Sequence, residues 1–128
     1  MVYVDTSVVL AQLFAEDRHP PASVWQSGVV SSRLTEYEVW TRVHARKLGP
    51  THGEAVRLLL ARVGWLEMKP FVIARAIEPW PTPVRTLDAL HLASVEFLRA
   101  RGQDVQLATY DEQMASAARR LNIPLVKL

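Results

Sequence analysis

The sequence contains no cysteine among its 128 residues. That absence removes disulfides, thiolate metal sites and cysteine nucleophiles, and it fits a reducing cytoplasm. Long apolar runs are missing as well. No stretch is long enough to cross a membrane, and Asp5 interrupts the N-terminal segment before it can form the apolar run of a signal peptide. There is little excess charge of either sign. The net charge is +2, which permits a nucleic-acid partner without arguing for one. No internal repeat or low-complexity tract is visible. What is present is ordinary globular material: hydrophobic residues make up 49% and charged residues 22%. The length suits one domain, spanning 1–128, with a single core.

The chain is organised around its first ten residues, MVYVDTSVVL. Val2, Tyr3 and Val4 are β-branched or aromatic and predict a short strand. The strand stops at Asp5; Thr6 and Ser7 are good helix caps, and the apolar spacing over 8–14 suits a helix. A polar break over 16–21 and a short segment over 22–27 follow. A second strand is expected over 28–30, ending at Ser31 and Ser32. From Arg33 a long helix is predicted to about residue 48, closed by Gly49-Pro50, with Leu34, Glu38, Thr41 and Ala45 on its inward stripe. Thr51 and Glu54 resemble a capping box for the next helix, which runs to about 63. Residues 65–68 form a doubtful strand and 71–77 a short helix. A proline-punctuated loop, EPWPTP, covers 78–83 and places Trp80 as the tryptophan with the best claim to exposure. A helix over 87–101, a strand over 105–109, a helix to about 121 and a final strand over 122–128 complete the reading. Strands alternating with helices predict an α/β fold with a mainly parallel sheet.

Four acids stand in distinctive settings. Asp5 and Asp111 each follow a strand and open a helix, and each has a hydroxyl two residues away: Ser7 after Asp5, Thr109 before Asp111. Such hydroxyls can hold a carboxylate in one rotamer. Each acid, taken alone, is equally a plain helix cap. Asp88 sits in the first turn of an apolar helix, where the dipole favours an acid but burial demands a partner. His91, one turn on, reads either as that partner or as a packed core residue. Glu38 lies on the inward stripe of its helix, whereas Glu36, about 200° around, faces solvent. Carboxylates gathered without cations repel and take up protons. The pattern therefore suits Mg²⁺ or Mn²⁺ bound through oxygen, and hydrolysis of phosphodiesters. Arg33, Arg42, Arg46, Lys47 and Arg85 are candidates to guide phosphates, or simply solvated surface charge.

Four segments, VDTSVVL, SSRLTEYEVW, LDALHLAS and LATYDEQM, resemble in order and spacing those of the PIN domain family, specifically the VapC-type ribonuclease toxins of toxin–antitoxin pairs. The resemblance spans nearly the whole chain. It implies a three-layer α/β/α sandwich, with metal-binding acids at Asp5, Glu38, Asp88 and Asp111 and supporting hydroxyls at Ser7 and Thr109. It further implies Mg²⁺ or Mn²⁺ as cofactor, a homodimer, a structured RNA substrate, and a small antitoxin whose C-terminal segment enters the active-site groove. Tyr37 and Trp40 are expected to offer that antitoxin an apolar surface. The match is loosest at the second acid, where Glu36 offers a rival register. Two other readings stay open: a receiver-like phospho-acceptor that binds Mg²⁺, and a catalytically inactive RNA- or partner-binding module.

Overall fold

The computed structural model describes residues 1–15 and 17–128; Glu16, the first residue of the predicted polar break, lies outside the described residues. Four short strands, β1 (Val2–Val4), β2 (Val29–Ser32), β3 (Gly64–Leu66) and β4 (Gln106–Ala108), lie parallel in the order β3-β2-β1-β4. The helices between them are α1 (Thr6–Phe14), a 3-10 turn (Ala22–Trp25), α2 (Arg33–Ala45), α3 (Gly49–Leu60), α4 (Pro70–Ala76) and α5 (Thr86–Ala100). A last helix, α6 (Glu112–Arg120), follows β4.

A parallel sheet buries both faces, and the alternation of side chains along each strand shows how. Val2 and Val4 of β1, Val29 of β2 and Ala108 of β4 enter one cluster with residues of α1, α2 and α3. Tyr3, Val30 and Leu107, the neighbours of opposite parity, enter a second cluster with Leu92 and Val95 of α5 and Met114 and Ala117 of α6. The result is the expected three-layer α/β/α sandwich. The layers follow from the direction of travel. The chain steps from β1 to β2 to β3 with α1–α3 on one face. It then returns past β1 to β4 with α4 and α5 on the other face, as a fixed crossover hand requires. The strand order thus reverses at β1, and the C-terminal ends of β1 and β4 border the switch point where such sheets hold ligands.

Several local expectations are revised. The doubtful 65–68 strand is a true edge strand, paired with β2 from Gly64 to Leu66. The C-terminal strand over 122–128 is reduced to one bridge, Leu107 to Leu125, with bonds from Leu107 N–H to Pro124 O (2.8 Å) and from Val126 N–H to Leu107 O (2.8 Å). Pro124 has no N–H to continue a ladder. The buried residues of α2 are Leu34, as expected, with Thr35, Val39 and Val43; Thr41 and Ala45 are exposed, and Glu38 stands on the shoulder. Trp80 is half-buried, its Nε1–H donating to Ala76 O (3.1 Å) and its face covered by the Arg75 guanidinium 3.7 Å from the ring centre.

The join between α2 and α3 also differs. Gly49-Pro50 opens α3 instead of closing α2, because proline in a first helical turn loses no bond. The Thr51 hydroxyl donates to Leu48 O (3.3 Å) and forms no capping box with Glu54. Helix α2 instead ends on Lys47, which takes the left-handed conformation at φ 57°. The Leu48 N–H then reaches Val43 O (2.9 Å) and the Lys47 N–H reaches His44 O (3.0 Å), a Schellman closure. Gly102 and Asn122 close α5 and α6 in the same way, and there the residue types suit a positive φ. Lys47→Gly relieves that strain and is expected to stabilise the fold by about 0.5–1 kcal/mol, a rise in Tm of roughly 2–4 °C on thermal unfolding.

Candidate active site

The site begins where β1 runs out. Asp5 adopts an extended backbone (φ −89°, ψ 178°) and caps α1, its Oδ1 accepting from Val8 N–H (3.2 Å) and from the Ser7 hydroxyl (2.6 Å). The Thr109 hydroxyl donates to the other oxygen, Oδ2 (2.5 Å). Asp5 is only 3% exposed, and burial pushes its carboxyl above the ordinary range despite the donors from Ser7, Thr109 and Val8. The two supporting hydroxyls also fasten the neighbouring chain: Thr109 Oγ1 accepts from Asp111 N–H (2.9 Å) and Ser7 Oγ from Tyr110 N–H (3.0 Å). Capping and holding a rigid carboxylate are therefore one arrangement, not competing explanations.

Asp111 caps α6 with Oδ1, which accepts from Gln113 N–H (2.9 Å) and Met114 N–H (3.1 Å). Its Oδ2 meets the Arg85 guanidinium at 3.2 Å. Asp88, in the first turn of α5, lies beside Asp111, and Arg85 approaches it at 3.8 Å. Burial, followed by the adjacent Asp111 carboxylate, raises the Asp88 carboxyl to about 7. The buried Oδ2 of Asp88 has no hydrogen-bond partner.

Glu38, expected to face the sheet or its edge, is turned toward Thr6 at the start of α1 and His91 of α5. Its Oε1 accepts from the Thr6 hydroxyl (2.7 Å) and from His91 Nε2–H (3.0 Å). Burial works to raise this carboxyl, but the bonds from His91 and Thr6 outweigh it and hold it below its ordinary value. Glu36 instead pairs with Arg33 (3.3 Å), away from the cleft. His91 is both a core residue, 2% exposed, and a hydrogen-bond partner, though of Glu38 and not of Asp88. Its Nδ1 faces the Tyr3 hydroxyl at 2.8 Å. That hydroxyl accepts from Ser32 N–H (3.2 Å), so its own proton goes to Nδ1 and leaves Nε2–H for Glu38. Burial raises the Tyr3 phenol well above its usual value, which keeps the donor protonated.

The four acids are thus linked through shared neighbours: Asp5 to Asp111 through Thr109, Asp111 to Asp88 through Arg85, and Glu38 to the Asp5 turn through Thr6. Glu38, Asp111, Thr6, Ser7 and Arg85 line one cleft of about 370 Å³. Among the described residues no group of three or more His, Asp or Glu side chains is arranged to hold a metal ion, and Asp5 and Asp88 are not among the residues that line the cleft. Thr6, Tyr3 and the bridging role of Arg85 were not legible from the residue pattern; in the sequence Thr6 is simply a cap and Tyr3 a strand residue. Of the residues expected to meet an antitoxin, Tyr37 is 69% exposed, whereas Trp40 is half-buried against the core and stacked on His44.

The family model described as PIN domain matches residues 2–126. The chain belongs to the PIN domain family. Relatives of this PIN domain include Ribonuclease VapC35 of Mycobacterium tuberculosis (strain ATCC 25618 / H37Rv), 29% identical over 98% of this chain and 96% of that protein. Ribonuclease VapC47 of Mycobacterium tuberculosis (strain CDC 1551 / Oshkosh) is 31% identical over 94% of this chain and 92% of that protein. In fold the PIN domain is similar to the crystal structure of Mycobacterium tuberculosis VapC20, a sarcin–ricin loop cleaving toxin, with TM-score 0.67, 23% identity, and coverage of 91% of this chain and 95% of that one. It is also similar to a toxin–antitoxin complex from Klebsiella pneumoniae, with TM-score 0.65, 17% identity, and coverage of 90% and 91%. The receiver-like alternative falls with this membership.

Because burial raises the Asp5 carboxyl, the folded state prefers the protonated form, and stability is lost as pH climbs from the unfolded carboxyl's pKa toward the folded one. Asp5→Asn removes the buried charge while keeping the volume. Without divalent cations at pH 7.5, its Tm is expected to equal or exceed that of the unaltered protein, with the difference shrinking toward pH 4. Differential scanning fluorimetry across that range checks this; a lower Tm for Asp5→Asn at pH 7.5 contradicts it.

Proposed function

We propose that this PIN domain is a metal-dependent endoribonuclease of the VapC kind, the toxin of a toxin–antitoxin pair, with 1–128 acting as one nuclease domain and as a homodimer in the cytoplasm. The observation that carries the reading is Asp88: its buried Oδ2 has no hydrogen bond, only the Arg85 guanidinium at 3.8 Å, and it lies beside a second carboxylate, Asp111, which lines the cleft with Glu38. Arg85 approaches this oxygen without hydrogen-bonding it, which leaves it open to a metal ion. The donor set, all carboxylate oxygen, suits Mg²⁺ or Mn²⁺. Mg²⁺ keeps several of its waters and is held by only one or two protein carboxylates at a time.

Asp5, Asp88, Asp111 and Glu38 are the residues to hold the ion, which supplies charge neutralisation at the phosphodiester and an activated water. The chain's own groups set the geometry. Ser7 and Thr109 fix Asp5 in one rotamer, so little reorganisation is needed when ligand arrives. Thr6 and His91 hold Glu38 by Oε1 and leave Oε2 for other contacts. Arg85, largely exposed, already places a guanidinium against Asp111, the kind of contact that an inhibitory partner's arginine would make there.

Two measurements test this. Incubated with labelled RNA, the protein is expected to cleave with Mg²⁺ or Mn²⁺ and to stop in EDTA; Asp5→Asn is expected to lower the rate at least 100-fold while remaining folded. Cleavage undiminished by EDTA overturns the metal-dependent reading. Second, protons compete with cations at Asp88. With its carboxyl near 7, about one-eleventh is ionised at pH 6 and ten-elevenths at pH 8, so Mn²⁺ is expected to bind about tenfold more tightly at pH 8. Calorimetric titration at the two pH values reads the difference, and Asp88→Asn is expected to flatten it.

A further inference from the structure

The cleft beside the acids does not end at them. A second cavity of about 450 Å³ continues it along α1 and α2, sharing Ser7, Leu10, Arg18, Arg42 and Tyr110 with the first. Its floor is apolar, from Leu10, Ala11 and Phe14, and its walls carry Arg18, Arg42 and Arg46, with Asp17 the one acid among the described residues that line it. Arg42 and Arg46 form no ion pair with any described residue. Two of the cations are steadied by ring faces instead: Arg46 lies over Phe14 (5.8 Å to the ring centre) and Arg18 over Tyr110 (5.6 Å). A guanidinium held by an aromatic face keeps its N–H edge free for an anion.

The spacing of these groups is regular. Glu38 and Arg42 on α2 and Arg46, the residue that caps its C-terminus, follow one another at four-residue steps, so they form one line with an advance of about 6 Å per step. Successive phosphates of a nucleic-acid strand recur at a comparable step. A line that begins at an acid of the cleft and continues with two arginines that pair with none of the described residues therefore matches a strand whose scissile phosphate lies at the acids.

We propose that this groove is the path of single-stranded RNA on one side of the cleaved bond, with Arg42 and Arg46 binding successive phosphates and Arg18 flanking them. The assignment rests on the ribonuclease reading and adds to it the side of the site from which the strand leaves. Contacts of this kind fix position and register without reading bases. An acidic protein segment is the other occupant that such charge would suit. The straight continuation from Glu38 favours RNA, because the same line joins the groove to the place where a phosphate must sit.

The test separates binding from cleavage. A fluorescein-labelled 12-nucleotide single-stranded RNA is titrated with protein in EDTA, by anisotropy, at several salt concentrations. Arg42→Gln/Arg46→Gln is expected to reduce the slope of log K against log salt by about 1.4, roughly 0.7 for each phosphate that is no longer neutralised. Arg42→Lys/Arg46→Lys is expected to retain the slope, and Arg101→Gln, at the far end of α5, is the control for net charge and is expected to leave it unchanged. An unaltered slope in the double glutamine variant, with RNA still bound, overturns the groove assignment while leaving the nuclease reading intact. An equal fall in slope for Arg101→Gln overturns it too, since the effect is then general charge. If the glutamine variant keeps its RNA slope but no longer captures the co-expressed antitoxin, the groove belongs to the protein partner and the RNA assignment is wrong. An unaltered protein that neither binds nor cleaves RNA refutes both readings together.

Discussion

The constraint on which the rest of the site depends is the burial of Asp5. A carboxylate almost removed from water is tolerated only where donors surround it, and here the donors come from two parts of the chain. Ser7 and Val8 belong to the helix that Asp5 itself caps; Thr109 follows the neighbouring strand, 104 residues away. Satisfying one acid therefore brings the ends of β1 and β4 into register. Thr109 in turn receives Asp111 N–H, so the second acid is placed by the group that holds the first. The parallel pairing of Val4 with Ala108 makes this possible, because parallel strands deliver their C-terminal ends to the same edge.

Much of this was legible in the residues. Asp5 and Asp111 sit where a strand hands over to a helix, and the hydroxyls two residues away pointed to their role before any coordinate did. The helical angle turned Glu38 inward and Glu36 outward as the structure has them, although the stripe used to argue it held only in part: Leu34 is buried with Thr35, Val39 and Val43, Thr41 and Ala45 are exposed, and Glu38 is at the margin. What failed were features set by tertiary contact. The edge strand at Gly64–Leu66 is too short to show a period, and it exists because β2 offers it a partner. The last strand looked secure by composition but pairs at only one position. Lys47 in a left-handed cap contradicts residue preference, and no local signal announces it.

The connection from Tyr3 through His91 to Glu38 is a different kind of device. Tyr3 lies in the centre of the sheet with no exposed surface, and its ring meets His91 edge-on at 5.9 Å. The Tyr3 hydroxyl is also tied to the backbone of Ser32, the cap of α2. One phenol thus joins β1, the start of α2 and α5, the helices that carry Glu38 and Asp88. Its effect is geometric: the histidine tautomer is set by the phenol's proton, and the histidine then donates to Glu38 in a fixed direction. A phenylalanine at Tyr3 fills the same space but leaves Ser32 N–H without its acceptor, so tyrosine there answers to polar satisfaction more than to packing.

The distribution of charge matters more to this chain than its total. A net charge of +2 makes no case for nucleic acid, yet the charges are sorted. Acids collect at the strand ends, where a bare phosphate backbone is repelled; arginines 18, 42, 46 and 85 stand around them. Each set is costly without the other. Acids alone keep RNA out, and cations alone bind any polyanion without positioning it. Set in line from Glu38 to Arg42 and Arg46, the two signs would, on the proposed reading, attract a strand while reserving one point on it for an ion at the acids.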